Sequence, residues 1–446
     1  MRGVRSTLAL LAVLIGLGTY IYIDSKKPDD SATKDKMFPG LEAAKIEEMT
    51  VKSASGDVTT LKKEGGAWKL TSPIQVAASE VDASGIANAL ADITVARVVE
   101  EAAADLKTYG LEAPKLDIQF KSADGKTSGH VQVGDTTATG GNLYARKADE
   151  KRVVLIPQFH ESGLNKSTFD LRDKAIVKFD RAKVDGIDTL VNGKEIEFTK
   201  VDTNWQMIKP LKARTDYSAA EGLVTQVETA QMKTIVGPAT TPEDLKKYGF
   251  DKPTATVNLH LGSARATLIV GAKADDQTYY IRDASRPDVY TVENYPAEVF
   301  QKPAEDFRKK ELFDFRAFDA TRVEFTRGAE TIVFERVKAK EENTPDSWHR
   351  VSPNPGDPDR EKVQSLLASV ADIRATSFVE SRAKTGLDAP AMTVYAKFED
   401  GKKEERVIFG KVGADVFAGR VDDPGASKVE AVKFDETMKS LDELSK

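Results

Sequence analysis

The chain has 446 residues, too many for one hydrophobic core, so several domains are expected. It is 40% hydrophobic and 30% charged, the balance of folded soluble domains, and its net charge of −6 comes without a basic patch that would point to nucleic acid. It has no cysteine, which excludes disulfides, thiolate nucleophiles, iron–sulfur clusters and zinc–cysteine sites.

The first element is an uncharged run from Ser6 to Ile23, preceded by Arg2 and Arg5. Eighteen residues in a helix would span ~27 Å, close to the hydrocarbon thickness of a bilayer. Tyr20 and Tyr22 stand where an interfacial aromatic belt would lie. Residues 1–23 are therefore expected to form an uncleaved signal anchor, a single pass through a membrane that leaves the rest outside the cytoplasm. Residues 24–40 are polar and carry Lys, Asp, Ser and two Pro, the composition of a tether.

From Leu41 the chain repeats itself. Ile46–Val51 and Val58–Leu61 alternate in polarity around Ser55-Gly56-Asp57, the pattern of a hairpin. A tryptophan then precedes a proline by five residues: Trp68 before Pro73, Trp205 before Pro210, Trp348 before Pro353. After each proline an amphipathic helix is expected, over 79–91, 216–230 and 359–371, with cap candidates Ser79, Asp216 and Asp359.

A second marker follows each helix: Asp105 to Pro114, Asp244 to Pro253 and, in weaker form, Ala383 to Pro390. Its glycines, Gly110, Gly249 and Gly386, are 139 and 137 residues apart, and a fixed period of this kind means that one unit was copied. Each marker reads as a short capped helix ended by a left-handed glycine, with a later Pro blocking its resumption. Thr241, Pro242 and Asp244 supply capping-box spacing in the second copy. Tyr109 and Tyr248 read either as ligand contacts or as packing residues; packing is the better reading because the third copy keeps Gly and Pro without the Tyr.

Strands then end in Val133-Gly134, Val270-Gly271 and Phe409-Gly410, followed by Tyr144-Ala145-Arg146, Tyr280-Ile281-Arg282 and Phe417 to Arg420. An apolar strand closes each unit, at 153–156, 289–292 and 429–432. Two copies end in a charged joint containing Arg172 or Arg308, while the third stops at Lys446. Pairing of these arginines with acids is expected to hold successive copies together. The units are drawn as 41–178, 179–314 and 315–446. The expected fold is α+β: three tandem, mostly antiparallel β domains, each with one longer and one or two short helices, behind an N-terminal transmembrane helix.

Gly-x-Trp-x-Leu-x-x-Pro, a helix, Tyr-Gly-Leu-x-x-Pro, then Val-Gly and Tyr-x-Arg together resemble the bacterial family of unknown function DUF4340, over nearly all of residues 41–446. That resemblance implies a membrane-anchored envelope protein, often encoded beside auxiliary ABC-type transporters of the gliding-motility type, and it transfers no catalytic residue.

Sites of chemistry are sparse in the sequence. His130, His160, His260 and His349 show no metal-ligand spacing, and His-Glu-x-x-His and Gly-x-Ser-x-Gly do not occur. Gly125-Lys126-Thr127 lacks the earlier glycine of a phosphate loop. Trp68, Trp205 and Trp348 could stack on sugars, but their recurrence favours a shared core role. Arg146, Arg282 and Arg420 could line a charged groove, with strand-surface salt bridges as the simpler reading. The expectation is a protein without catalytic residues, metal or cofactor, which acts as an interaction or accessory subunit beside an ABC transporter permease or another envelope protein. The competing expectation is a periplasmic glycan- or peptide-binding protein, or a hydrolase.

Overall fold

A computed structural model describes residues 35–125, 127–339, 341, 344–421 and 423–445. The anchor expected over residues 1–23 lies outside them, and none of the described helices is long and apolar enough to cross a membrane. The chain divides into two compact units, Met1–Lys174 and Ala175–Lys446; the first carries one sheet and the second carries two.

The first sheet has nine strands: β1 (Ile46–Lys52), β2 (Val58–Glu64), β3 (Ala67–Ser72), β4 (Val76–Ala77), β5 (Arg97–Glu100), β6 (Leu116–Ser122), β7 (Ser128–Thr136), β8 (Asn142–Lys147) and β9 (Val153–Pro157). They lie in the order β4-β3-β2-β1-β6-β7-β8-β9-β5, and all pairs are antiparallel. Alternation along the strands sends Met49, Val51, Leu61, Ile118, Phe120 and Val131 to the core and polar neighbours to water. Helix α1 (Glu80–Asp92) lays Ala83, Ile86, Ala87 and Leu90 on that core. Its start is set by Ser79, whose hydroxyl accepts from the Asp82 N–H. Two short helices follow, α2 (His160–Leu164) and α3 (Thr168–Leu171).

The second sheet repeats this plan: β10 (Gly186–Val191), β11 (Lys194–Val201), β12 (Asn204–Lys209), β13 (Ala213–Arg214), β14 (Thr234–Pro238), β15 (Ala255–Leu261), β16 (Ala264–Lys273), β17 (Thr278–Asp283) and β18 (Asp288–Glu293), in the order β13-β12-β11-β10-β15-β16-β17-β18-β14. Its helices are α4 (Tyr217–Thr229), capped by Asp216, α5 (Pro242–Lys247), which starts in a full Thr241/Asp244 capping box, and α6 (Asn294–Val299). The third sheet has eight: β19 (Ala320–Arg327), β20 (Glu330–Val337), β21 (Ser347–Ser352), β22 (Ala375–Val379), β23 (Met392–Phe398), β24 (Lys403–Val412), β25 (Asp415–Arg420) and β26 (Ala426–Val429), in the order β21-β20-β19-β23-β24-β25-β26-β22. Its longer helix, α7 (Arg360–Ala371), is capped by Asp359.

Three details differ from the sequence reading. The marker turn is a helix only in the second copy; in the first it is a 3-10 turn over Lys107–Tyr109, and residues 382–390 of the third form turns and bends. The third copy does not simply stop. Residues 431 and 432, read as the end of a strand, open α8 (Ala431–Ser445), which buries Phe434, Leu441 and Leu444 in the third core. The copies also begin earlier than drawn. Lys36 bridges Thr94, Ala175 bridges Gln231 and Glu311 bridges Arg374, each opposite a residue two or three past the end of the longer helix. Behind each bridge an apolar residue is buried: Met37, Ile176 and Leu312. Met37 and Phe38 thus pack with the first core rather than lying in a tether, and Leu312 and Phe313 belong to the third core.

Candidate functional site

The repeated residues come together in two places per copy. In the first, the marker turn lies directly on the strand that carries Val-Gly. Gly110, Gly249 and Gly386 have φ of 68°, 75° and 73°, the left-handed region in which a Cβ is strained. A Cβ on Gly110 would come within 2.9 Å of the Asp135 backbone N, one on Gly249 within 2.6 Å of the Ala272 N, and one on Gly386 within 3.0 Å of the Lys411 N. The opposing glycines complete the fit: a Cβ on Gly134, Gly271 or Gly410 would overlap the carbonyl oxygen of Tyr109, Tyr248 or Thr385. In the second copy that carbonyl accepts from the Ala272 N–H at 2.9 Å. Backbone meets backbone here, so both partners must be glycine. The signal was present as two glycines 22 to 24 residues apart, but neither turn nor strand periodicity relates residues so far apart.

The tyrosines belong to this contact. Tyr109 packs on Tyr144 with ring centroids 5.0 Å apart, and Tyr248 on Tyr280 at 4.9 Å. The Tyr of the marker and the Tyr of Tyr-x-Arg are thus one aromatic pair, and the third copy, with Thr385, lacks it.

In the second place, the tryptophans plug the other end of the sheet. Trp68, Trp205 and Trp348 are 1%, 4% and 1% exposed. Each sits opposite a cation on the neighbouring strand: Lys63, Lys200 and Arg336, in register and 4.8, 5.4 and 5.2 Å from the ring centroid. The Trp205 indole N–H donates to Glu221 Oε2 at 2.8 Å, and Arg181 Nη2 holds Oε1 of the same carboxylate at 2.7 Å. Burial by itself would raise the Glu221 pKa; the Trp205 and Arg181 donors outweigh it and hold the carboxyl below its ordinary range.

The arginines separate into different roles. Arg146 donates to Gln132 Oε1, and Arg282 lies 5.5 Å over the Phe250 ring, so neither forms the surface ion pair expected of it. Arg172 and Arg308 stand at the exits of their copies, where they bridge Ala78 and Thr215 just ahead of the longer helices. Neither matches the acid pairing read from the sequence: Arg172 Nε is buried without a partner among the described residues, and Arg308 stacks on Phe378 at 4.0 Å.

The ion pairing lies instead on neighbouring residues of the second unit. Glu405, 5% exposed, accepts from the backbone N–H of Asp314 (3.0 Å) and Phe315 (2.8 Å) and from Arg420 Nη1 (2.5 Å). Asp314 accepts from Arg214 (2.8 Å) and Lys309 (2.6 Å), and Leu312 O accepts from Arg214 and Arg420. Burial pushes the Asp314 carboxyl up, but Lys309, Arg214 and Arg420 together hold it below its usual range. This node ties β13 and the joint to β24 and β25. Sequence reasoning missed Glu405 and Arg214 because neither recurs at the repeat period and each is one charged residue among many.

A concavity of about 500 Å³ opens on the polar face of the first sheet beside Phe38, Glu48, Gln119, His130 and Lys147. Its charges are locally paired: His130 Nε2 lies 2.6 Å from Asp117 Oδ1, and Lys121 reaches Glu48 at 3.1 Å. His260 Nε2 meets Asp188 in the same way at 2.6 Å. Among the described residues, no group of three His, Asp or Glu side chains is placed to hold a metal ion.

Among proteins of curated function none matches the chain. Two crystal structures of the DNA polymerase sliding clamp from Pseudomonas aeruginosa, one of them with ligand, align at 6% identity over 90% of this chain and 96% and 94% of theirs, but with TM-scores of 0.18 and 0.17 the likeness bears on neither fold nor function. The model of a domain of unknown function, DUF4340, matches residues 68–244 and 205–390. Each match starts at a copy's tryptophan and ends in the marker of the next copy, so the matched stretches run across the copy borders and overlap. Together they span most of the chain and begin and end on the residues that build the copies: the chain belongs to the DUF4340 family.

Proposed function

We propose that this protein is a non-enzymatic accessory subunit, anchored in the bacterial inner membrane by residues 1–23, that presents its copies outside the cytoplasm to a membrane partner. The observation that carries the reading is where the repeated residues are used. The tryptophans, glycines and marker tyrosines are spent on packing within each copy, and Glu405 and Asp314 on joining two copies. The repeated units multiply similar surfaces on one scaffold, as the matching His130–Asp117 and His260–Asp188 pairs illustrate. Weak contacts made by tethered copies add through effective concentration. An ABC-type transporter permease is the partner class that the family's gene neighbourhoods favour.

The test is crosslinking in intact cells, then mild-detergent extraction of the full-length chain. The reading requires that a transporter permease or another envelope protein co-purify in constant ratio. Recovery of the chain alone, or hydrolysis of an envelope glycan or peptide by the purified chain, refutes it; the second result favours the competing enzyme.

A further inference from the structure

The joint of the second unit holds a mostly buried cation with no ion-pair partner among the described residues. Arg308 is 7% exposed, and its guanidinium lies flat on Phe378. It lines a small cavity with Arg214, Lys309, Glu311, Arg420 and Asp423. The acids nearby are already engaged: Asp314 takes Arg214 and Lys309, Glu405 takes Arg420 and two backbone N–H groups, and Glu311 takes Arg374. Among the described residues no carboxylate lies within ion-pair distance of the Arg308 side chain. Asp423, Glu305 and Glu380 act on it only from farther off, and burial pushes its pKa down.

Among the described residues that line the cavity, four cations, Arg214, Arg308, Lys309 and Arg420, thus stand against two acids, Asp423 and Glu311, and Glu311 is held by Arg374. An isolated buried charge is costly, and a bound counterion removes that cost. The cavity is about 20 Å³, enough for one water-sized atom. A guanidinium presents a rigid fork of donors suited to oxygen anions.

We infer that this cavity is a binding site for an oxyanion of the carboxylate or phosphate class, which places one oxygen against Arg308 and between Arg214 and Arg420. The site draws Arg214 and Arg308 from one copy and Phe378 and Arg420 from the next, so occupancy fastens the joint.

The experiment titrates inorganic phosphate and, separately, acetate into the full-length chain in mild detergent by calorimetry, with sodium chloride at matched ionic strength as reference. One saturable site is expected for phosphate, weaker for acetate and not reproduced by chloride. Arg308→Met should weaken phosphate at least about tenfold through the lost charge-assisted bonds. Asp423→Asn, which removes a competing negative charge, should tighten it. The exposed pair Lys69–Glu64 supplies the control: Lys69→Met should leave phosphate binding unchanged. Amide exchange over residues 308–315 should slow when phosphate binds. Absence of a saturable site, an equal response to chloride, or unchanged affinity in both Arg308→Met and Asp423→Asn overturns the inference. The Asp423→Asn arm stands even if Arg308→Met does not fold.

Discussion

Replacing Gly249 by alanine tests the account of the marker turn. Gly249 has φ of 75°, and a left-handed alanine costs ~1–2 kcal/mol. Its new Cβ would stand 2.6 Å from the Ala272 N, 0.8 Å inside the 3.4 Å at which ordinary contact begins. The obstacle is backbone in a paired strand, which yields poorly. Lifting the turn by that amount would stretch the 2.9 Å bond from the Ala272 N–H to the Tyr248 carbonyl beyond hydrogen-bonding range, a further loss of ~1 kcal/mol. The total is ~2–4 kcal/mol, which lowers the urea midpoint by about 1–2 M for a domain of this size. The assay is urea unfolding of the full-length chain, with amide exchange of peptides over 248–272 to place the loss. Gly222 is the internal control: it lies within α4 with nothing inside 4 Å of its added Cβ, and Gly222→Ala should stabilise by ~0.5–1 kcal/mol. A Gly249→Ala protein that unfolds at the wild-type midpoint, or one less affected than Gly222→Ala, would refute the backbone-on-backbone explanation.

Trp348→Ala should destabilise the third copy by ~3–5 kcal/mol, and wild-type tryptophan fluorescence should resist iodide quenching. Fluorescence that iodide quenches freely would reopen the sugar-stacking alternative. Glu221 carries a depressed folded pKa, so its contribution is present above the unfolded carboxyl pKa of ~4.3 and is lost as pH falls through the lower folded value. Stability of the second unit should therefore drop in acid, and Trp205→Phe should flatten that drop; identical acid profiles would contradict the assigned donor. Glu405→Ala strands Arg420 and two backbone N–H groups, at an expected cost of ~3–5 kcal/mol, and should split the calorimetric transition of the second unit in two. A single unshifted transition would show that the node does not couple the copies. Asp359→Ala removes the cap of α7 and should cost ~1 kcal/mol, read as a modest fall in Tm.

The repeat period and the local devices were legible in the sequence. Ser79, Asp216 and Asp359 cap the longer helices where they were expected to, and Thr241 with Asp244 forms the capping box. These features depend on residues within one or two turns of each other, and their chemistry is written in short stretches. The tryptophans were readable as core because a large apolar side chain recurring at one place in three copies has few other uses. Tertiary structure decided the rest. Only the fold shows that two glycines 22 to 24 residues apart face each other, that Met37, Ile176 and Leu312 open their copies, and that the apolar positions of α8 close the third core. Only the fold takes the ionic role expected of Arg308 and gives it to Arg214, Asp314, Glu405 and Arg420. The physical reason is common to these cases. Caps and periodicities are set by the local path of the backbone, whereas close backbone approach and charge pairing depend on which strands become neighbours, and that is fixed by the packing of the whole sheet.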